Sequence, residues 1–207
     1  MPLNMRMHGF QRVQTLQGRA YRRTGFTGIP FAEKKIQKIP FLRGTKLRIT
    51  KAKRGNRNVR VGISEVNIKK AMRGFRTLTR MHQDGLLHTA VPLGFKTDRQ
   101  TGKGYVYTLF RPGFNLKSPT YRKLSSTQKN AVNLAVIDSI KQAHEKGWIL
   151  RDRNASNIIS HITGKGNVVI THIDPYTAIT RREQPQYFDE FANREMKYVY
   201  DMLASLK

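Results

Sequence analysis

The sequence predicts an α+β fold with two small lobes, a β-rich lobe in front and a helical lobe behind. Segments that alternate polar and apolar residues fill much of 36–63 and 89–110, as strands do. Apolar residues recur every three or four positions over 125–146 and 186–206, which is typical of helices. The turn-forming run Arg111-Pro112-Gly113 lies between these halves. Strands and helices that segregate along the chain favour an α+β architecture.

Boundaries follow from the same pattern. Residues 1–30 are basic and show little periodicity, so we expect a loosely structured leader. Residues 31–113 form the predicted front lobe and residues 114–207 the predicted back lobe.

Composition excludes several classes of protein. The chain has 207 residues, 38% of them hydrophobic, and contains no cysteine. Disulfides, thiolate catalysis and zinc bound by cysteine are therefore excluded. No apolar run is long enough to predict a transmembrane segment, and the first residues do not resemble a secretory signal peptide.

The net charge of +26 is concentrated at the front of the chain. Residues 1–80 hold 21 Lys and Arg but only two acids, whereas residues 81–207 hold 18 Lys and Arg and 11 acids. Such a surface suits nucleic acid, anionic lipid or an acidic protein, or it simply keeps the protein in solution. No motif supports the nucleic-acid interpretation.

The front lobe is predicted to begin with a three-stranded antiparallel meander. Its strands are expected over Ile39–Arg43, Lys46–Lys53 and Asn58–Ile63. A helix follows over Ser64–Met81, with Ser64 as its cap, and then two further strands, Thr89–Lys96 and Gly104–Phe110.

The clearest helix of the back lobe begins after Ser125, which has capping-box spacing to Gln128, and ends at Gly147. Leu134 and Ile137 widen its apolar surface, as expected for a helix buried inside a lobe. A last helix is predicted from about Gln186 to Leu206.

Three polar residues around a hairpin carry the functional prediction. Asp152 follows Leu150-Arg151, Asn157 comes five residues later, and Asp174 ends the second strand. Carboxylate and amide oxygens suit a hard cation such as Mg²⁺. The arrangement favours a phosphoryl-transfer site, although a polar turn would look similar.

In these residues the chain resembles the protein-kinase-like fold. The catalytic loop of that family reads His-Arg-Asp-x-x-x-x-Asn, and its metal-binding Asp opens Asp-Phe-Gly after the next hairpin. The resemblance implies ATP and Mg²⁺ as cofactors, Asp152 as catalytic base, and Asn157 and Asp174 as metal ligands. Leu150 replaces the usual His, and Pro175-Tyr176 replaces Phe-Gly.

Only 33 residues follow Asp174, and Ala-Pro-Glu is absent. Together with Arg111-Pro112-Gly113, this resembles the minimal serine/threonine-protein kinases that bacteria deliver into host cells by type III secretion, among them the HopBF type. The resemblance implies a monomeric virulence effector that acts in the host cytoplasm. Its substrate would be a host protein, for example a chaperone such as HSP90.

The phosphate-binding part of the predicted site is less complete. The family places a lysine on its third strand and pairs it with a glutamate on the next helix, whereas here the third strand has Arg60 and the helix has Glu65 in its first turn. We therefore expect Lys46 or Lys51 to bind the phosphates, or Lys34 or Lys35 if the strand register differs. Gly44 is the expected phosphate-covering turn, with Gly18 as the second choice.

Two other functions stay open on the sequence. A kinase of a small molecule or lipid headgroup shares this loop and tolerates a short segment after it. A non-catalytic basic binding module on a kinase-like scaffold would explain the charge of the front half and the unassigned lysine. Without secretion, the alternative location of the protein is the cytoplasm.

Overall fold

A computed structural model describes residues 10–15, 18–23, 33–39, 47–54, 57–151 and 154–206 of the chain. The chain separates into two units. The first unit comprises Met1–Thr79 and Val91–Arg111, and the second comprises Arg80–Ala90 and Pro112–Lys207. The last boundary between the units, between Arg111 and Pro112, falls within the turn-forming run Arg111-Pro112-Gly113.

The first unit begins with an antiparallel hairpin of β1 (Phe10–Thr15) and β2 (Gly18–Arg23), followed by the short helix α1 (Glu33–Gln37). The sequence indicates little regular structure over 1–30. Backbone pairing needs no side-chain periodicity, because every residue other than proline carries its own N–H and C=O groups, so the hairpin left no clear pattern in the sequence.

Four antiparallel strands form the main sheet of the first unit. They are β3 (Leu47–Arg54), β4 (Arg57–Asn67), β5 (Pro92–Asp98) and β6 (Lys103–Leu109), in the order β3-β4-β6-β5. The predicted strand at Ile39–Arg43 falls mostly outside the described residues, and Ile39 donates to the carbonyl of Ile36 just after α1.

Helix α2 (Ile68–Gln83) buries its apolar side, including Ala71, Phe75 and Leu78. The rings of Phe75 and Phe95 are 5.3 Å apart, centroid to centroid. The core of the sheet includes Val61 and Ile63, which are fully buried.

The predicted start of this helix at Ser64 is wrong. Residues 64–67 continue β4 and pair with β6, with Ser64 opposite Val106 and Asn67 opposite Lys103. The side chain of Asn67, not that of Ser64, accepts the backbone N–H of Lys70 at 2.8 Å. Pairing with a strand some 40 residues away extends β4, and a local pattern cannot reveal such pairing.

The second unit combines short sheets with two long helices. Its strands are β7 (Phe114–Asn115), β8 (Trp148–Ile149), β9 (Ile158–Ile162), β10 (Val168–His172) and β11 (Ile179–Thr180). They form a three-stranded sheet, β10-β9-β7, and a pair, β11-β8. Its helices are α3 (Pro119–Arg122), α4 (Ser126–Glu145) and α5 (Phe188–Ala204).

Helix α4 confirms the predicted capping box, since Ser125 Oγ accepts the Gln128 N–H at 3.2 Å and Gln128 Oε1 accepts the Ser125 N–H at 3.0 Å. Gly147, with φ of +73°, turns the chain after the helix. Of the two residues expected to widen the apolar surface of α4, Ile137 packs against the core, whereas Leu134 is 52% exposed. Among the described helices, none has the length and hydropathy needed to cross a lipid bilayer.

Substituting Gly104→Ala tests the packing of β6 on α2. A methyl group on Gly104 would collide with the side chain of Ala71 and approach the backbone of Asn67 and Ile68. We expect a loss of roughly 1–3 kcal/mol of stability, seen as a fall in the melting temperature by circular dichroism. Gly164→Ala is the matched control, because no atom lies within 4 Å of its added methyl group. Equal melting of both variants would contradict this packing.

Candidate active site

The predicted catalytic loop leaves the core of the second unit at Leu150. Strand β8 pairs with β11, with Ile149 opposite Ile179, and the side chains of Trp148, Ile149 and Leu150 are buried. Leu150 therefore fills the core. The next residue, Arg151, is exposed and has φ of +55°, a left-handed conformation that is uncommon for a residue other than glycine.

Glu195 of helix α5 holds the start of this loop. Its side chain is buried, and the residue is only 4% exposed. Its carboxylate accepts hydrogen bonds from the backbone N–H groups of Leu150, at 3.3 Å, and of Arg151. It also contacts His144 Nε2 at 2.8 Å. Because a carboxylate oxygen only accepts, the proton of this last hydrogen bond belongs to His144 Nε2.

The two backbone hydrogen bonds to Glu195 explain how the left-handed residue persists. Such a conformation costs about 1–3 kcal/mol and survives only where the surroundings determine it. Hydrogen bonds to a charged acceptor are stronger than neutral ones. Here they hold the backbone of Leu150 and Arg151, the two residues directly before Asp152. Asp152 and Arg153 lie outside the described residues, so the role of Asp152 as catalytic base stays a prediction.

A turn of 3₁₀ helix, Ala155–Asn157, places Asn157 after the loop. Asn154 opens this turn: its side-chain oxygen accepts the Ser156 N–H at 3.1 Å, and its carbonyl accepts the Asn157 N–H at 2.8 Å. Ala155 is buried and its carbonyl accepts the N–H of Leu116 at 3.2 Å. The turn is thus tied both to itself and to the core.

The structure brings Asn157 and the neighbourhood of Asp174 together. Strands β9 and β10 pair with Ile158 opposite His172. The carbonyl of Asn157 accepts the N–H of Ile173 at 3.0 Å, which extends the pairing by one residue. Asp174 follows Ile173 directly and is exposed, whereas Asn157 is half-buried. The two residues predicted to bind metal therefore lie at adjoining strand ends.

A buried histidine that the sequence did not assign to the site steadies the second of these strands. His172 is fully buried, and its Nε2 is 3.0 Å from Ser139 Oγ of helix α4. Its backbone bonds on both sides, since its N–H donates to His88 O at 2.8 Å and its carbonyl accepts from Ala90 N at 2.9 Å. In the sequence, the only sign of this contact is that Ser139 and His172 are polar residues within apolar stretches.

The residues present fit a magnesium ion. The amide oxygen of Asn157 and the carboxylate of Asp174 are hard donors, and Mg²⁺ usually takes one or two protein ligands while phosphates and waters fill its other positions. The magnesium and ATP assignments remain predictions that rest on this chemistry.

The first unit contains a partly buried ion pair that the sequence did not predict. Arg48 on β3 is 7% exposed, donates to Glu65 Oε2 at 3.1 Å, and also donates to the carbonyl of Ile36. Lys103 Nζ lies 2.9 Å from Glu65 Oε1. Glu65 is on strand β4 and not in the first turn of a helix, because strand pairing extends β4 to Asn67.

The structure describes only some of the predicted phosphate-binding residues. Lys51 is exposed on β3 and pairs in register with Arg60 of β4, so two like charges face each other across the strands. Gly44 and Lys46 lie outside the described residues. Their roles stay predictions, as do those of Lys34 and Gly18; Lys35 is exposed on α1.

Comparison with known proteins places the fold. No family model and no curated protein matches the sequence. Among solved structures, the crystal structure of the BubR1 kinase domain is similar, with a TM-score of 0.53 and 12% sequence identity over 87% of this chain. The chain matches 53% of that kinase domain, about half its length.

The chain therefore has a protein-kinase-like fold, and the predicted α+β fold class is confirmed. At 12% identity the likeness concerns the fold alone. The narrower resemblance to type III effectors of the HopBF type stays a prediction.

Replacing Glu195 with Ala tests the anchor of the loop. Three donors would lose their acceptor, two of them backbone N–H groups, and each unsatisfied buried donor costs about 1–3 kcal/mol. We expect a loss of roughly 3 kcal/mol or more in urea unfolding. Glu190→Ala, in the same helix, removes an exposed pair with Arg194 and should cost at most about 0.5 kcal/mol. Similar losses in both variants would show that Glu195 is not an anchor.

Proposed function

We propose that this protein is a kinase that transfers the γ-phosphoryl group of ATP to a hydroxyl group. The observation that carries the proposal is the hydrogen bond between the Asn157 carbonyl and the Ile173 N–H. It places Asn157 beside the residue that precedes Asp174, in the order that the catalytic loop of a kinase requires. The protein-kinase-like fold supports the same interpretation.

Each residue of this group has a distinct task in the proposal. Asp152 accepts the proton of the substrate hydroxyl. The hydroxyl oxygen bonds to the γ-phosphorus while the bond between that phosphorus and ADP breaks. The oxygens of Asn157 and Asp174 would hold Mg²⁺, which neutralises charge on the phosphates when bound. Glu195 acts through the backbone and holds the residue before Asp152 in place.

The proposed acceptor is a serine or threonine of a host protein, and the proposed setting is the host cytoplasm after type III secretion. The Arg111-Pro112-Gly113 turn supports this proposal, because it resembles the turn that leads into the second lobe of minimal effector kinases. A chaperone such as HSP90 is the first substrate to try.

Phosphoryl transfer from radiolabelled ATP tests the activity. Asp152→Ala and Asp174→Ala should each abolish labelling of proteins in a host-cell extract, because each removes a group that acts on the reacting phosphate or hydroxyl. Asp201→Ala, an exposed acid on α5, serves as the control and should label as the parent does.

Two results of this assay would overturn the proposal in different ways. Labelling by Asp152→Ala and Asp174→Ala equal to that of the parent would refute the assigned site. Labelling confined to a sugar, an antibiotic or a lipid headgroup would establish a small-molecule or lipid kinase in place of a protein kinase.

Calorimetry separates a kinase from a non-catalytic scaffold. The parent should bind ATP in the presence of Mg²⁺, and Asp174→Ala should weaken that binding by at least about tenfold, since it removes a proposed metal ligand. Binding of the parent that does not depend on Mg²⁺, or no binding at all, would favour a basic binding module.

A further inference from the structure

The exposed side of the first half of helix α2 is cationic. Its buried side includes Ala71, Phe75 and Leu78, whereas four exposed side chains, here called the basic face, lie opposite. The basic face comprises Lys69, Lys70, Arg73 and Arg76. No Asp or Glu occurs anywhere in the helix, Ile68–Gln83. All four residues belong to the first unit.

Within the described part of the chain, no ion pair involves the basic face. Two acids of this unit have other partners: Glu65 pairs with Arg48 and Lys103, and Asp98 accepts from Gln100 N and Thr101 Oγ1. Like charges three or four residues apart on a helix repel, by about 0.2–0.5 kcal/mol for each pair. A bound polyanion would relieve this repulsion.

The linear charge density of the basic face is comparable to that of a nucleic-acid strand. Lys69 and Arg76 are seven residues apart, about 10.5 Å along the axis at 1.5 Å per residue. Four charges over that length have a mean axial interval of about 3.5 Å, and phosphates of one duplex strand repeat about every 3.4 Å of axis. At about 100° per residue, all four also fall within roughly 120° around the helix.

The neighbouring side chains favour a duplex over a single strand or a membrane. Every aromatic side chain described in the first unit is buried or half-buried, and none offers the open ring on which unpaired bases stack (Phe75, Phe95, Tyr105, Tyr107 and Phe110). The apolar side of α2 lies in the core, so the helix cannot insert that side into a lipid surface.

We propose that the basic face of α2 is a docking surface for the phosphodiester backbone of double-stranded nucleic acid. This inference does not rest on phosphoryl transfer and goes beyond it. The contact would be independent of sequence, because it reaches phosphates and not base edges. It would also weaken steeply with salt, since each neutralised phosphate releases counterions.

Fluorescence anisotropy with a labelled 20-base-pair DNA duplex of arbitrary sequence tests this surface on the full chain. The variant Lys69→Gln/Lys70→Gln/Arg73→Gln/Arg76→Gln removes the basic face. The control variant, Lys123→Gln/Lys141→Gln/Lys165→Gln/Lys197→Gln, removes the same charge from exposed positions of the second unit. Both keep the basic residues 1–46, so any binding by that segment cancels in the comparison.

The slope of log affinity against log salt should become shallower by about 3–4 in the basic-face variant, and by about one in each single variant. The control should keep most of the parent's slope. The basic-face variant should melt no lower than the parent, because it removes repulsion only. If it nevertheless melts at a lower temperature, the single variant Arg73→Gln replaces it in the test. Its slope of log affinity against log salt should then be shallower by about one.

Three outcomes would overturn the proposal. The parent fails to bind the duplex, or the two quadruple variants lose slope equally, which would show a general effect of net charge. Alternatively, binding to phosphatidylserine vesicles or to poly-glutamate depends on the basic face while duplex binding does not, which would identify a lipid surface or an acidic protein as the partner. All three outcomes are measured by binding and do not depend on phosphoryl transfer.

Discussion

The carboxylate of Glu195 ties the last helix to the backbone at Leu150 and Arg151. A buried carboxylate is tolerated only when its lone pairs are satisfied, and here two backbone N–H groups and His144 satisfy them. In return, Arg151 is held in a left-handed conformation directly before the predicted base. Helix α5 therefore contributes to the candidate site without reaching it, and the packing of α5 in the core determines where the loop begins.

A second set of backbone bonds places the other half of the candidate site. Strand β10 pairs with β9 on one side, while His172 bonds to His88 and Ala90 through its backbone on the other. The Ser139 hydroxyl contacts the ring of His172 from helix α4. Main-chain hydrogen bonds thus fix the backbone at Asn157 and next to Asp174. The positions of these two residues therefore do not depend on burying their own polar side chains.

Much of the fold was predictable because its signals are local. The capping box at Ser125, the buried stripe of α4 and the antiparallel pairing of β3 with β4 and of β9 with β10 all follow from residues close together in the chain. The start of α2 was not predictable, because pairing with a strand distant in sequence holds residues 64–67 in β4. The pair of Arg48 and Glu65 was missed for a related reason: it joins two strands whose register decides which side chains meet.

The sequence by itself determined the α+β class, the concentration of positive charge in the first half, and the order of Asp152, Asn157 and Asp174. Periodicity, composition and spacing are properties of the chain and need no partner. Only the tertiary structure decided that Glu195 is buried beneath the loop, that Asn157 lies beside Ile173, and that the four cations of α2 share one exposed face while its apolar side is covered. These features depend on contacts between distant segments, whose geometry exists only after folding.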